Sequence, residues 1–179
     1  MSKQELDVNF LADAMRAAAL EVFGTMLGIE VELSVPTPGA AVEAQDHGVV
    51  SLLGLTGEWT GSGGLCCSAE CACWIASQML FSEYPEVNDE VRDAVGEITN
   101  MIVGNFKNSI GTETGPLGMS TPTVICGRDM TTTNGGAHEW IVFPFKGGEH
   151  TFRMMVQLQP ARQAAARSHE SMQHLLVNQ

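Results

Sequence analysis

Three residues near the middle of the chain have the types and the spacing to do chemistry. Asp93, Glu97 and Asn100 stand at i, i+4 and i+7 within the stretch Asp89 to Ile110. On a helix that spacing puts them in one stripe. Two carboxylates and a carboxamide supply hydrogen-bond acceptors and one donor group, enough to grip a polar or charged group on a partner. Asn is a mediocre helix former, and mid-helix no capping role explains Asn100. Gly96 and Gly104 lie beside the stripe, each costing a helix about 1 kcal/mol relative to Ala. Two such costs on a face expected to be exposed imply that something approaches the backbone closely there. Lys107 and Asn108 flank the far end. A plain solvated helix face is the competing reading.

The stretch that carries these residues reads as one amphipathic helix, because Val95, Ile98, Ile102 and Phe106 recur on the opposite side. Asn88 or Asp89 is its cap. Around it, a first long helix runs from Phe10 to about Gly28, with Asn9 as cap. Ile29 to Val35 alternates as a strand and stops at Pro36. Gly48 to Leu55 and Gly63 to Ser68 read as strands joined by the glycine-rich loop Thr56 to Ser62, and Ser68 caps a helix from Ala69 to Phe81. After the central helix come a loop (Gly111 to Gly118), a strand (Ser120 to Cys126) and a polar loop (Gly127 to Ala137). A hairpin of Glu139 to Phe145 and His150 to Leu158 follows, then a last helix from Pro160 to about Val177.

The order long helix, strand, hairpin, helix occurs twice. Asp13 aligns with Asp93, and Gly24 with Gly104, under one shift of 80 positions. Under that shift Ala17 stands where Glu97 does and Leu20 where Asn100 does. One copy, not both, is expected to carry the site. The fold class expected is α/β (α+β): two pseudo-equivalent halves, each with a long helix packed on an antiparallel-rich sheet.

The whole chain sets outer bounds. Its 179 residues suit a single domain, 1–179, with a core over about 10–158 and a C-terminal helix or tail over 160–179. Lys and Arg number 9 against 21 Asp and Glu, a net charge of −12. That balance argues against binding nucleic acid or an anionic membrane through a general field. The first residues lack the apolar core of a signal peptide, and no run of about 18 apolar residues occurs. A cytoplasmic protein with free thiols is the expectation for its five cysteines.

Asp93-x-x-x-Glu97-x-x-Asn100, set in DAVGEITNMIVGN and followed by the Thr-Pro-Thr-Val strand, resembles the helix motif of the CheX-type chemotaxis phosphatases, relatives of CheC and FliY. The resemblance covers roughly Phe10 to Leu158. Members of that family are built as two similar halves. CheC-like members carry the Glu/Asn pair on both long helices and CheX-like members on one, so Ala17 and Leu20 point to the single-site type.

The resemblance implies a phosphatase acting on the aspartyl-phosphate of a CheY-like response-regulator receiver domain. The receiver supplies Mg²⁺ and its own lysine, and this chain needs no cofactor of its own. Asn100 would hold the attacking water in line without adding negative charge, and Glu97 would dock on the receiver lysine. Asp93, Gly96, Gly104 and Lys107 would belong to the docking surface, and the protein would be a homodimer.

Two other classes stay open: a receiver-binding or flagellar-switch module that hydrolyses nothing, and a thiol or metal protein. Cys66, Cys67, Cys71 and Cys73 cluster in sequence but lack a paired C-x-x-C and a nearby His. They read as small buried apolar residues rather than metal ligands. Cys126 reads as structural, and the five histidines as surface residues.

Overall fold

The computed structural model describes residues 6–39, 41–43, 47–133 and 139–161. Two hairpins make the centre of the sheet, β4 (Gly48–Gly57) with β5 (Trp59–Ser68) and β9 (Trp140–Gly147) with β10 (His150–Pro160). β5 and β10 pair with each other from Phe152 opposite Cys67 to Pro160 opposite Trp59. The outer strands are short: β1 (Glu32–Leu33), β2 (Thr37–Gly39), β6 (Leu117–Met119) and β7 (Thr123–Gly127). The eight strands are antiparallel in the order β1-β9-β10-β5-β4-β6, with β2 also on β9 and β7 also on β4. β3 (Ala41–Glu43) and β8 (Thr131–Thr133) form a separate two-stranded ribbon.

The two halves expected from the repeat are present, and they exchange strands. β1 and β2, from the first half, lie on the second half's hairpin, while β6 and β7 lie on the first half's. Among the described residues, three helices pack against the sheet: α1 (Val8–Val22), α2 (Ala69–Leu80) and α3 (Asp89–Ser109), with a single turn, α4 (Gly111–Thr114), after the last.

The main core lies between helices and sheet. Met15, Phe23, Ile98, Ile102 and Phe106 bury there against Leu55, Leu65, Phe145 and Phe152. Phe152 stacks on Phe23 at 4.7 Å between ring centres. Because strand side chains alternate, Val50, Cys66, Trp140, Val142 and Met155 form a second buried cluster on the opposite face.

Several element bounds differ from the sequence reading. The first helix is capped by Asp7, whose carboxylate accepts from the Asn9 N–H at 2.8 Å, so it starts at Val8 rather than Phe10. It ends in a wider π-type turn, Phe23–Leu27. The strand expected over Ile29 to Val35 shrinks to two residues at the sheet edge. The glycine-rich Thr56 to Ser62 is almost all strand, leaving only Glu58 between β4 and β5. Its glycines serve close approach instead of a turn: a Cβ on Gly61 would sit 1.8 Å from the Gln157 carbonyl oxygen. Gly111 to Gly118 holds α4 and part of β6, and the polar loop after Gly127 holds β8. Pro160 closes β10, and helix begins directly after it at Ala161, the last described residue; the rest of that helix, to Val177, lies outside the described residues.

Candidate functional site

α3 is built to stay helical for its whole length. The Asn88 carboxamide oxygen accepts from the Val91 N–H at 2.9 Å. Asp89 and Glu90 sit in the first turn and Lys107 in the last, each sign matching the helix dipole. Val91, Val95, Ile98, Ile102 and Phe106 are completely buried. One close approach seats the helix on the sheet: a Cβ on Gly63 of β5 would come within 2.9 Å of the Val103 Cγ1.

The stripe lies on the other side. Asp93 and Glu97 are exposed, and Asn100, Gly104 and Lys107 are half-buried. Glu97 and Asn100 are adjacent turns apart, about 4.5 Å along the axis. Among the described residues, no hydrogen bond or ion pair engages either side chain. Both are therefore uncommitted polar groups on a rigid helix, free to meet a partner. Asp93 joins them one turn earlier. Lys107 lies about 10 Å beyond Asn100 along the axis and donates from Nζ to the Asn108 Oδ1 at 3.0 Å.

The two glycines have a different explanation from the one their sequence position suggests. Gly96 is buried, and a Cβ there would lie 3.4 Å from the Val124 Cγ2 and 3.6 Å from the Pro122 Cγ. Gly104 is half-buried, with the Met119 methyl 3.7 Å from its Cβ position. What approaches the helix at both positions is the chain's own segment 119–124, which runs from β6 into β7. Gly96 thus serves internal packing and is not an exposed contact for a partner.

Two features beside the stripe were not legible from the spacing of Asp93, Glu97 and Asn100. Glu90 extends the stripe by one turn and accepts a hydrogen bond from the Tyr84 Oη at 2.7 Å. That carboxylate raises the Tyr84 phenol above its ordinary pKa. Arg92 pairs with Asp89 next to it, which raises its pKa. A Tyr six residues upstream of a Glu is the only sequence trace of the first contact.

The first long helix repeats the frame without the polar pair. Asp13, Ala17, Leu20 and Gly24 are all exposed, as the alignment with Asp93, Glu97, Asn100 and Gly104 requires of a matching face. The helices touch where the Asn105 Nδ2 donates to the Glu21 Oε2 at 3.2 Å.

Cys66, Cys67, Cys71 and Cys73 are buried and Cys126 is exposed. A hydrogen bond to the Cys71 thiol, together with burial, pushes the Cys67 thiol well up. Burial raises Cys66, opposed by the neighbouring Arg153 guanidinium. Among the described residues, no three His, Cys, Asp or Glu side chains are grouped to hold a metal. Of the histidines, His47 is exposed and His150 stacks on Trp74 at 4.7 Å; His138, His169 and His174 lie outside the described residues.

A family model described as chemotaxis phosphatase CheX matches residues 49–146, from the first hairpin through α3 to β9. The chain belongs to the CheX family. Among CheX relatives, the CheY-P phosphatase CheX of Thermotoga maritima is 28% identical over 121 residues, covering 67% of this chain and 77% of that one. The chemotaxis protein CheX of Desulfovibrio desulfuricans superposes with a TM-score of 0.74 at 26% identity, over 83% of this chain and 99% of that one. The CheX fold is also that of a Borrelia burgdorferi protein solved as a CheX–CheY–BeF3–Mg²⁺ complex. Its TM-score is 0.67 at 24% identity, over 82% of this chain and 96% of that one.

Proposed function

We propose that this CheX-family chain hydrolyses the aspartyl-phosphate of a CheY-like receiver domain, with Glu97 and Asn100 as the working pair. The observation that carries the reading is that the two stand side by side on α3, uncommitted to any described neighbour. The T. maritima relative is named for dephosphorylating CheY-P, and the Borrelia relative was solved with CheY and Mg²⁺. Both fit a receiver as substrate.

In this mechanism the carboxamide of Asn100 holds a water in line with the acyl phosphate. The water oxygen bonds to phosphorus as the bond to the aspartyl oxygen breaks, giving inorganic phosphate and a free Asp carboxylate. A loose phosphoryl-transfer transition state needs positioning more than a strong base, which suits a neutral carboxamide. Glu97 pairs with the receiver's lysine and fixes the register of docking. Asp93 adds charge to the docking face, with Gly104 and Lys107 at its far end. The Mg²⁺ is the receiver's own.

A homodimer belongs to the same reading, to be measured by sedimentation equilibrium, and a cytosolic location goes with that substrate. No described helix is long and apolar enough to cross a membrane. The test is phosphate release from receiver domains of the same genome, phosphorylated with acetyl phosphate. Wild type should accelerate release. Binding without acceleration would leave a docking module, and full activity in Asn100→Ala would sink the mechanism.

A further inference from the structure

The turn that delivers the chain from α2 into α3 carries two costs at one position. Phe81 closes α2 in the left-handed conformation, φ 53 and ψ 39, which strains any residue with a Cβ and bulky ones most. Its side chain is also 91% exposed, so the ring forgoes the burial that makes Phe favourable in a fold. The cheaper solution exists in this same molecule, where Gly28 takes the left-handed conformation after the first helix, at φ 68. Leu80, next to the ring, is 41% exposed. An apolar pair is thus presented outward from a defined backbone, and nothing in α2 itself requires it.

A hydrogen bond ties the segment that follows this pair to the start of α3. Tyr84, three residues on, donates to Glu90. Glu90 lies three residues before Asp93 and seven before Glu97, so it heads the same stripe. From Glu90 to Asn100 is about 15 Å along the axis. A standard interface covers roughly 800 Å² on each partner, a patch wide enough to span both. Glu83, Glu86 and Asp89 are exposed along the segment between Phe81 and the stripe, so exposed carboxylates follow the ring along the chain up to Glu90, Asp93 and Glu97.

We infer that Phe81, supported by Leu80, is an apolar anchor for the same receiver domain whose phosphoryl group meets Glu97 and Asn100. The inference rests on the proposed phosphatase reading. The complementary receiver surface is an apolar hollow rimmed by Lys or Arg, which the exposed carboxylates that follow Phe81 attract. An exposed aromatic carried on a defined turn is the kind of residue that carries a large share of an interface's binding energy.

The substitution Phe81→Gly separates docking from folding, because glycine adopts the left-handed conformation without strain. Receiver domains of the same genome, held with beryllium fluoride and Mg²⁺, are titrated against wild type and Phe81→Gly by calorimetry. Phosphate release and the melting temperature are measured in parallel. The expected result is an unchanged or higher melting temperature, a Kd and KM raised at least about tenfold, and an unchanged kcat at saturation. An unchanged Kd overturns the inference. So does conversion of a dimer to a monomer with receiver affinity intact, which would make a second copy the occupant of the patch. If wild type neither binds nor dephosphorylates any receiver, the phosphatase reading fails and takes this one with it. If Asn100→Ala abolishes turnover while Phe81→Gly binds as wild type does, only the anchor is lost.

Discussion

At the scale of single residues, Asn100 and Glu97 are expected to fail in different ways. A group that only orients a water acts in the transition state, so Asn100→Ala should lower kcat by about 100-fold and leave KM nearly unchanged. A carboxylate that docks a lysine acts in the bound complex, so Glu97→Gln should raise KM, and added salt should narrow its gap from wild type. Steady-state phosphate release at two ionic strengths separates the two, and equal effects on kcat from both substitutions would refute this division of labour. Gly104 tests the other side of the site. The space at its Cβ ends on the Met119 methyl at 3.7 Å, an ordinary contact with a flexible side chain. Gly104→Ala should therefore stabilise the protein by up to about 1 kcal/mol through helix propensity, with phosphatase activity kept. Urea unfolding and turnover on the same sample decide it. A stabler but inactive variant would mean that a partner, not only Met119, needs the room.

At the scale of elements, the seat of α3 depends on a glycine in a different element. The Val103 methyl would meet a Cβ on Gly63 at 2.9 Å, and β-branched valine has little rotamer freedom with which to move aside. Gly63→Ala should cost about 1–3 kcal/mol by overpacking and lower kcat by tilting the stripe. Asn88→Ala, which removes only a cap, should cost about 1 kcal/mol and leave kcat alone. Denaturant midpoints and turnover of the two variants, compared at matched stability, would expose an error if kcat followed stability alone. The same pair of elements explains what could be read from the sequence. α2 and α3 were legible nearly to the residue, because a polar cap and a 3.6-residue period are local signals. The stripe of Asp93, Glu97 and Asn100 was legible for the same reason. The strand glycines at 57 and 61 were misread as a loop, because turns and close backbone approach both call for glycine. What separates the two causes is the Gln157 carbonyl on β10, almost a hundred residues away. Gly96 was misassigned likewise: sequence displays the cost of a helical glycine but not whose atoms fill the space, here Pro122 and Val124.

At the scale of the whole molecule, the exchange of strands between halves makes a prediction about cooperativity. An internal repeat invites the expectation of two units that fold apart. Here β1 and β2 complete the second hairpin, β6 and β7 complete the first, and β5 and β10 share the longest register in the sheet. Unfolding either half would strip both edges and split the central pair, exposing Phe152 and Leu65 together. Residues 10–158 should therefore melt as one two-state unit. The tryptophans report it directly, since Trp59 and Trp74 belong to the first half and Trp140 to the second. Trp59 and Trp140 are both nearly completely buried. In variants that keep only one of the three, urea midpoints by fluorescence should coincide with each other and with the loss of helical ellipticity, once corrected for each variant's own stability. A first-half midpoint separated from the second would show that the halves hold their own cores. The pseudo-symmetry would then describe two domains, and α3 would owe its orientation to one hairpin instead of both.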